Sequence, residues 1–258
     1  MGWATCYENV LPYVFAIETP EGAGSGVFFM YNDTKTYAAV ATAAHVVDHA
    51  DTWKLPIKLR NHNTGKELFL KDDDRVLFVD RRRDTAAIMF LASLLELPQE
   101  VLPLMAANKY KPIGTEIAWV GYPSIAHPNL CFFSGRVSAF LMSDDSYLID
   151  GVAINGVSGG PVFSLSDKDQ PMLLGTVSAY MPNRIRGDAL PGLLRVQDVT
   201  TFHETINTVK SIDDARKKKR EEEEARKLQE QQSQSGSDAP ASATPADGAQ
   251  PAEGAKPA

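Results

Sequence analysis

A serine, a histidine and an aspartate stand in three short segments whose composition suits acyl transfer. The serine lies in Asn155-Gly156-Val157-Ser158-Gly159-Gly160-Pro161-Val162, the histidine in Ala43-Ala44-His45-Val46-Val47, and the aspartate in Arg83-Asp84-Thr85-Ala86-Ala87-Ile88. A serine hydroxyl is a weak nucleophile at neutral pH. It needs a base within hydrogen-bond reach, and that base needs a third group to orient it. Glycines beside Ser158 let the backbone turn sharply and expose the hydroxyl. Successive N–H groups in such a turn can converge on a developing oxyanion. A fourth segment, Gly24-Ser25-Gly26-Val27-Phe28, is also glycine-rich. Singly, each segment has a plainer reading: a Gly-Gly-Pro turn, a core histidine at an Ala-rich strand end, an aspartate capping a turn. Asp80 rivals Asp84 but lacks the Ala-Ala-Ile that follows it. Taken together, in the order His, Asp, Ser, the segments point to one nucleophilic site.

The elements that must position these residues read as strands. Val10 to Glu18, Gly26 to Tyr31, Tyr37 to Ala43, Trp53 to Arg60, Glu67 to Leu70 and Arg75 to Val79 are β-branched, aromatic or alternating, with Gly, Pro, Asn and Asp between them. The pattern resumes at Glu116 to Val120, Cys131 to Phe140, Tyr147 to Asp150, Pro161 to Ser164, Leu173 to Ala179 and Leu193 to Val196. Short, regularly spaced strands without helical patterns between them predict an all-β sandwich or barrels. From Thr200 the pattern turns helical, with Phe202, Ile206 and Val209 on one face. A charged block from Lys217 to Glu224 then continues as a solvated helix, with Glu222–Arg226 and Glu223–Lys227 as favourable pairs. From about Ser233 the Ala, Pro, Gly and Ser content predicts disorder.

Bulk properties remove other functions. The 258 residues carry a formal net charge of -7, which gives no general attraction to nucleic acid or an anionic membrane. No apolar run approaches the length of a membrane span. The amino terminus lacks the basic start and apolar stretch of a secretory signal. Two cysteines, Cys6 and Cys131, exclude a disulfide scaffold and read as reduced thiols. The expectation is a cytoplasmic protein with neither metal nor cofactor.

These segments resemble the trypsin-like peptidases over roughly residues 10 to 208. "TAAHVV" is similar to the family's histidine motif, "DTAAI" to its aspartate motif, and "GVSGGPV" to its nucleophile motif, in the chain order of chymotrypsin. The resemblance implies two six-stranded antiparallel β-barrels, at about 10–110 and 111–200, with a closing helix at 201–209. A charged helix at 209–232 and a disordered tail at 233–258 would follow. It implies His45, Asp84 and Ser158 as catalytic triad and the N–H groups of Gly156 and Ser158 as oxyanion hole. Ser178, in "LGTVSAY", would support Asp84. Val152, Tyr180 and Gly192 fall where the family builds its substrate pocket, and they imply small or medium apolar side chains ahead of the cleaved bond.

The chain departs from digestive trypsins. Val157 stands where they carry an aspartate that pairs with a freshly cut amino terminus, and the Ile-Val-Gly-Gly start is missing. In this it is nearer to bacterial high-temperature-requirement proteases, without a PDZ-like segment after the domain. The expected activity is a serine endopeptidase acting on protein or peptide substrates. The alternative is a latent or silent trypsin-like domain, used as a binding module or switched on by a partner. The carboxy-terminal helix and tail would be the place for an activating or tethering partner. The Arg81-Arg82-Arg83 run reads as a solvated loop in preference to a docking patch for an acidic partner.

Overall fold

The computed structural model describes residues 2–152, 154–166, 170–185 and 188–235. Strands dominate, in two successive groups. The first comprises β1 (Val14–Thr19), β2 (Gly22–Tyr31), β3 (Tyr37–Thr42), β4 (Ile57–Asn61), β5 (Glu67–Leu70), β6 (Val76–Asp80) and β7 (Thr85–Leu91). They form a seven-stranded sheet in the order β5-β4-β1-β2-β3-β7-β6, where a six-stranded barrel was expected. β4 and β5 add a hairpin to one side of β1, and β5 and β6 are the two edges. The second group comprises β8 (Glu116–Gly121), β9 (Cys131–Leu141), β10 (Ser146–Asp150), β11 (Pro161–Leu165), β12 (Pro171–Ile185) and β13 (Asp188–Asp198). It closes into the expected six-stranded antiparallel barrel, in the order β10-β13-β12-β11-β8-β9.

Residue size explains the centre of the first sheet. β3 is alanine-rich, a poor composition for an isolated strand. Both of its faces are buried, however. Ala38 and Val40 pack with Phe15, Ile17 and Phe28, while Ala39 and Ala41 pack with Phe29 and, from the barrel, Val120 and Phe163. Small side chains let aromatic neighbours approach a strand sandwiched on both sides. A third cluster fills the barrel, around the fully buried Trp119 and Tyr147 with Ile117, Ile149, Val157 and Val196.

Among the described residues, three α-helices accompany the strands. α1 (Trp3–Val10) buries Cys6 and Val10 in the core shared by the sheet and the barrel. α2 (Ala44–Thr52) follows β3 directly, and His45 therefore sits in the first turn of a helix and not at a strand end. Neither helix was expected, because eight or nine residues give too few turns for a clear period. α3 (Thr200–Ser235) is continuous across the expected boundary at 209 and through residues 233–235, which were expected to be disordered. Its start plugs the shared core with Phe202 and Val209, Phe202 lying 4.9 Å from Phe29 between ring centres. The described residues up to Asp213 make one compact unit. The second unit begins at Asp214, and its helical part carries the pairs Lys218–Glu222, Lys219–Glu223 and Arg226–Glu230. These replace the two pairs read from the sequence. The rest of the tail, from residue 236, lies outside the described residues.

Both cysteines are free thiols. Among the described residues, no helix is long and apolar enough to cross a membrane, and no cluster of His, Cys, Asp or Glu could hold a metal ion.

Candidate active site

The β6–β7 turn places Asp84. Asp80 ends β6, and its Oδ1 accepts the N–H groups of Arg82 and Arg83, both at 3.0 Å. Those bonds shape the turn and occupy the rival carboxylate. The chain then passes through Asp84 in the left-handed region, at φ 52°. Aspartate is among the few side chains that visit this region, at a cost of about 1–2 kcal/mol.

The Asp84 carboxylate does two jobs at the start of α2. Ala43, the residue before the helix, offers no side-chain cap. Asp84 Oδ1 instead accepts the His45 backbone N–H at 3.0 Å. This satisfies a helix-start donor and sets a negative charge at the positive end of the helix dipole. The same carboxylate faces the imidazole, with His45 Nδ1 2.9 Å from Oδ2 and 3.0 Å from Oδ1. Ser178 Oγ, on β12 of the barrel, donates to Oδ2 at 2.7 Å. Asp84 thus fixes the position and the ring orientation of His45.

Electrostatics follow from these bonds. Burial pushes the Asp84 carboxyl up, but the hydrogen bonds from the His45 ring, the Ser178 hydroxyl and the His45 N–H outweigh it, and the group lies below its ordinary range. The His45 imidazole is raised, first by its hydrogen bond to Asp84 and then by the carboxylate charge, with partial burial opposing.

Ser158 stands in the loop between β10 and β11. Gly156 and Gly159 both adopt positive φ, at 92° and 78°. A Cβ on Gly159 would run into Thr42 Oγ1 and the Ser25 carbonyl, and one on Gly156 into the Tyr122 carbonyl. The loop's carbonyls are held one by one. Asn155 O accepts from Ser124 N at 2.7 Å, Gly156 O from Ser25 Oγ at 2.9 Å, Val157 O from Gly160 N at 2.8 Å and Ser158 O from Ser25 N at 2.8 Å. Three of the N–H groups are taken as well: Val157 N donates to Ile154 O, Gly159 N to Val177 O and Gly160 N to Val157 O. Among the described residues, the N–H groups of Gly156 and Ser158 have no acceptor within the chain. Val157 itself is 1% exposed and anchors the loop in the barrel core.

His45 and Ser158 line one cleft of about 290 Å³, with Ile154, Asn155, Val177, Ser178 and Ala179. The structure therefore gathers His45, Asp84, Ser158, Gly156 and Ser178. Val152 is 59% exposed and does not line this cleft, nor does Gly192, which lies on β13. The Tyr180 side chain lies outside the described residues. Sequence reasoning gave no role to Ser25, although its Gly-Ser-Gly segment stood out, nor to Ser124, which has no motif around it. The arginine run is partly engaged, with Arg81 and Arg82 exposed and Arg83 half-buried. Arg81 pairs with Asp48 and Asp51, and Arg83 with Asp80, Asp145 and Glu204.

The arrangement matches known proteins. The family model for the trypsin-like peptidase domain matches residues 24–169. Among solved structures, the serine endoprotease from Yersinia pestis aligns with a TM-score of 0.60 at 18% identity, over 82% of this chain and 67% of that one. Deg5 aligns with a TM-score of 0.57 at 18% identity, over 78% of this chain and 90% of that one. At such identities these two likenesses speak to the fold. No curated protein sequence matches the chain. The family match spans more than half of the chain, and this protein therefore belongs to the trypsin-like peptidase family of serine peptidases.

Proposed function

We propose that the chain is an endopeptidase in which His45, Asp84 and Ser158 form the catalytic triad. Ser158 Oγ attacks the carbonyl of a peptide bond as His45 Nε2 takes its proton. The imidazolium is stabilised by Asp84, which also keeps Nδ1 protonated and the ring in place. The negative oxygen of the tetrahedral intermediate sits between the N–H groups of Gly156 and Ser158. His45 then protonates the leaving amine, and the acyl group stays on Ser158. Water, activated by the same imidazole, releases the acid and restores the serine.

The observation that carries this reading is the state of the Ser158 loop. Its carbonyls from Asn155 to Ser158 are bonded within the chain, while the N–H groups of Gly156 and Ser158, the two that an oxyanion would need, are not, and Ser158 lines a cleft together with His45. Each such donor is worth about 2.7–4 kcal/mol of transition-state stabilisation. The latent or silent alternative has less support, because the carbonyls that a collapsed loop would turn are already engaged. Beside Ser158 and His45 the cleft is lined by the apolar Ile154, Val177 and Ala179 and by the polar, uncharged Asn155 and Ser178. It supports a preference for small or medium apolar side chains before the cleaved bond. Two free thiols suit a reducing compartment and favour a cytoplasmic protein.

The test is labelling of the purified protein by a fluorophosphonate, which reacts with activated serines. Wild type should label and Ser158→Ala should not. Failure of folded wild type to label would rule out a ready-made site.

A further inference from the structure

We infer that Ser25 is a positioning residue for this site: its buried hydroxyl locks the oxyanion loop from the neighbouring sheet and so does what an ion pair at position 157 would do, which the Val157 side chain cannot make. The inference rests on the function proposed above.

A glycine at positive φ has little steric preference of its own, so the peptides on either side of Gly156 must be held from outside. The peptide before it is held by Ser124 N–H on the Asn155 carbonyl, at 2.7 Å. A trans peptide points its N–H opposite its carbonyl, so this bond aims the Gly156 N–H away from Ser124. The peptide after it is held by Ser25 Oγ on the Gly156 carbonyl, at 2.9 Å. Ser25 belongs to β2 of the first sheet, while the Gly156 loop is anchored in the barrel through Val157.

The Ser25 hydroxyl is itself fixed. It accepts the Tyr122 N–H at 2.9 Å, which leaves its one proton for Gly156. Its backbone N–H holds the Ser158 carbonyl at 2.8 Å, and Thr42 Oγ1 donates to its carbonyl at 2.8 Å. Ser25 is 0% exposed, so water cannot easily replace either bond of the hydroxyl. Next in the loop is Val157, an apolar residue that fills space in the barrel but can make no directional bond through its side chain. Direction comes from Ser124 on the peptide before Gly156 and from Ser25 on the peptide after it.

The experiment is fluorophosphonate labelling of the full chain against pH, for wild type and Ser25→Ala, with Ser158→Ala as the unreactive control. The plateau rate of Ser25→Ala should fall about tenfold, less than the ~10²–10³-fold expected for losing a hole donor outright. The pH midpoint should not move, because Ser25 is not bonded to His45 or Asp84. A plateau within threefold of wild type overturns the inference. So does a midpoint that shifts along with the rate, which would mean general loosening of the site. If Ser25→Ala does not fold, Ser25→Cys takes its place under the same expectations, since a thiol of similar size donates only weakly. If wild type itself does not label, the proposed function fails, and a crystal structure of the variant decides the role of Ser25. A Gly156–Val157 peptide turned from its wild-type orientation supports the inference, and an unchanged peptide overturns it.

Discussion

Asp84→Asn is the sharpest perturbation of the proposed site, because it keeps the shape and changes one proton. The carboxylate accepts from the His45 N–H, His45 Nδ1 and Ser178 Oγ. An asparagine can keep its carbonyl oxygen at the Oδ1 position, where it still caps α2. Its NH2 group then occupies the Oδ2 position, facing Nδ1 and Ser178. Ser178 can rotate to accept, but Nδ1 must give up its proton, which moves to Nε2. The imidazole is left in the tautomer that cannot take the Ser158 proton. The expected loss is about 10⁴-fold in labelling or peptide hydrolysis near neutral pH. The thermal midpoint should change little, because the cap and the packing survive. The pH profile adds a second reading. Wild-type labelling should rise as His45 loses its proton, with a midpoint above the ordinary value of 6.5, because Asp84 raises the imidazole. In Asp84→Asn that charge is gone and the midpoint should fall. A folded variant that labels within tenfold of wild type, or whose midpoint stays put, would refute the reasoning.

Two other substitutions probe the supports. Arg83→Ala removes a side chain 15% exposed that pairs with Asp80, Asp145 and Glu204, joining the turn before Asp84 to the barrel and to α3. The three carboxylates can partly rehydrate, so the expected loss is about 2 kcal/mol, below the range for a fully buried pair, read by urea unfolding. Val157→Asp restores the residue type of the digestive enzymes without the ammonium that pairs with it. It should cost several kcal/mol, because it buries a carboxylate among Trp119, Ile117 and Ile149. Burial raises that carboxyl in the folded state, so the folded chain binds more protons than the unfolded one. Its stability should therefore fall further as pH rises from the ordinary carboxyl range to the raised value, as a pH series of melting curves would show.

How far the sequence reaches depends on the range of each signal. Strand existence was legible because alternation and turn residues are local. The residues that meet at the cleft could be named because glycine-rich and alanine-rich segments are short motifs. α2 was not legible: its nine residues follow an alanine-rich strand without a cap residue, and the cap comes from Asp84, 39 residues away from His45. The bond from Ser25 to Gly156 spans 131 residues and leaves no local trace. Val152 and Gly192 were named by analogy with the family's pocket alone, because no local motif around them ties them to the Ser158 cleft.

The division of labour between sheet and barrel explains why so few polar bonds matter. His45 and Asp84 come from the sheet side, and Ser158 with its loop from the barrel. The shared core, with Phe29, Val120, Phe163 and Phe202, holds the two together, but apolar burial is non-directional and tolerates small slips. Acyl transfer does not, since a misplacement of about 1 Å can cost 10²-fold. Direction across the junction is supplied by Ser178 on Asp84, by the Ser25 hydroxyl on Gly156 and Tyr122, and by Ser25 N on Ser158 O. Arg83 adds a charged tie to Asp145 outside the cleft. Loss of one of these ties should therefore reduce turnover well before it unfolds the chain, because the core that holds the fold is not the set of bonds that aligns the proposed site.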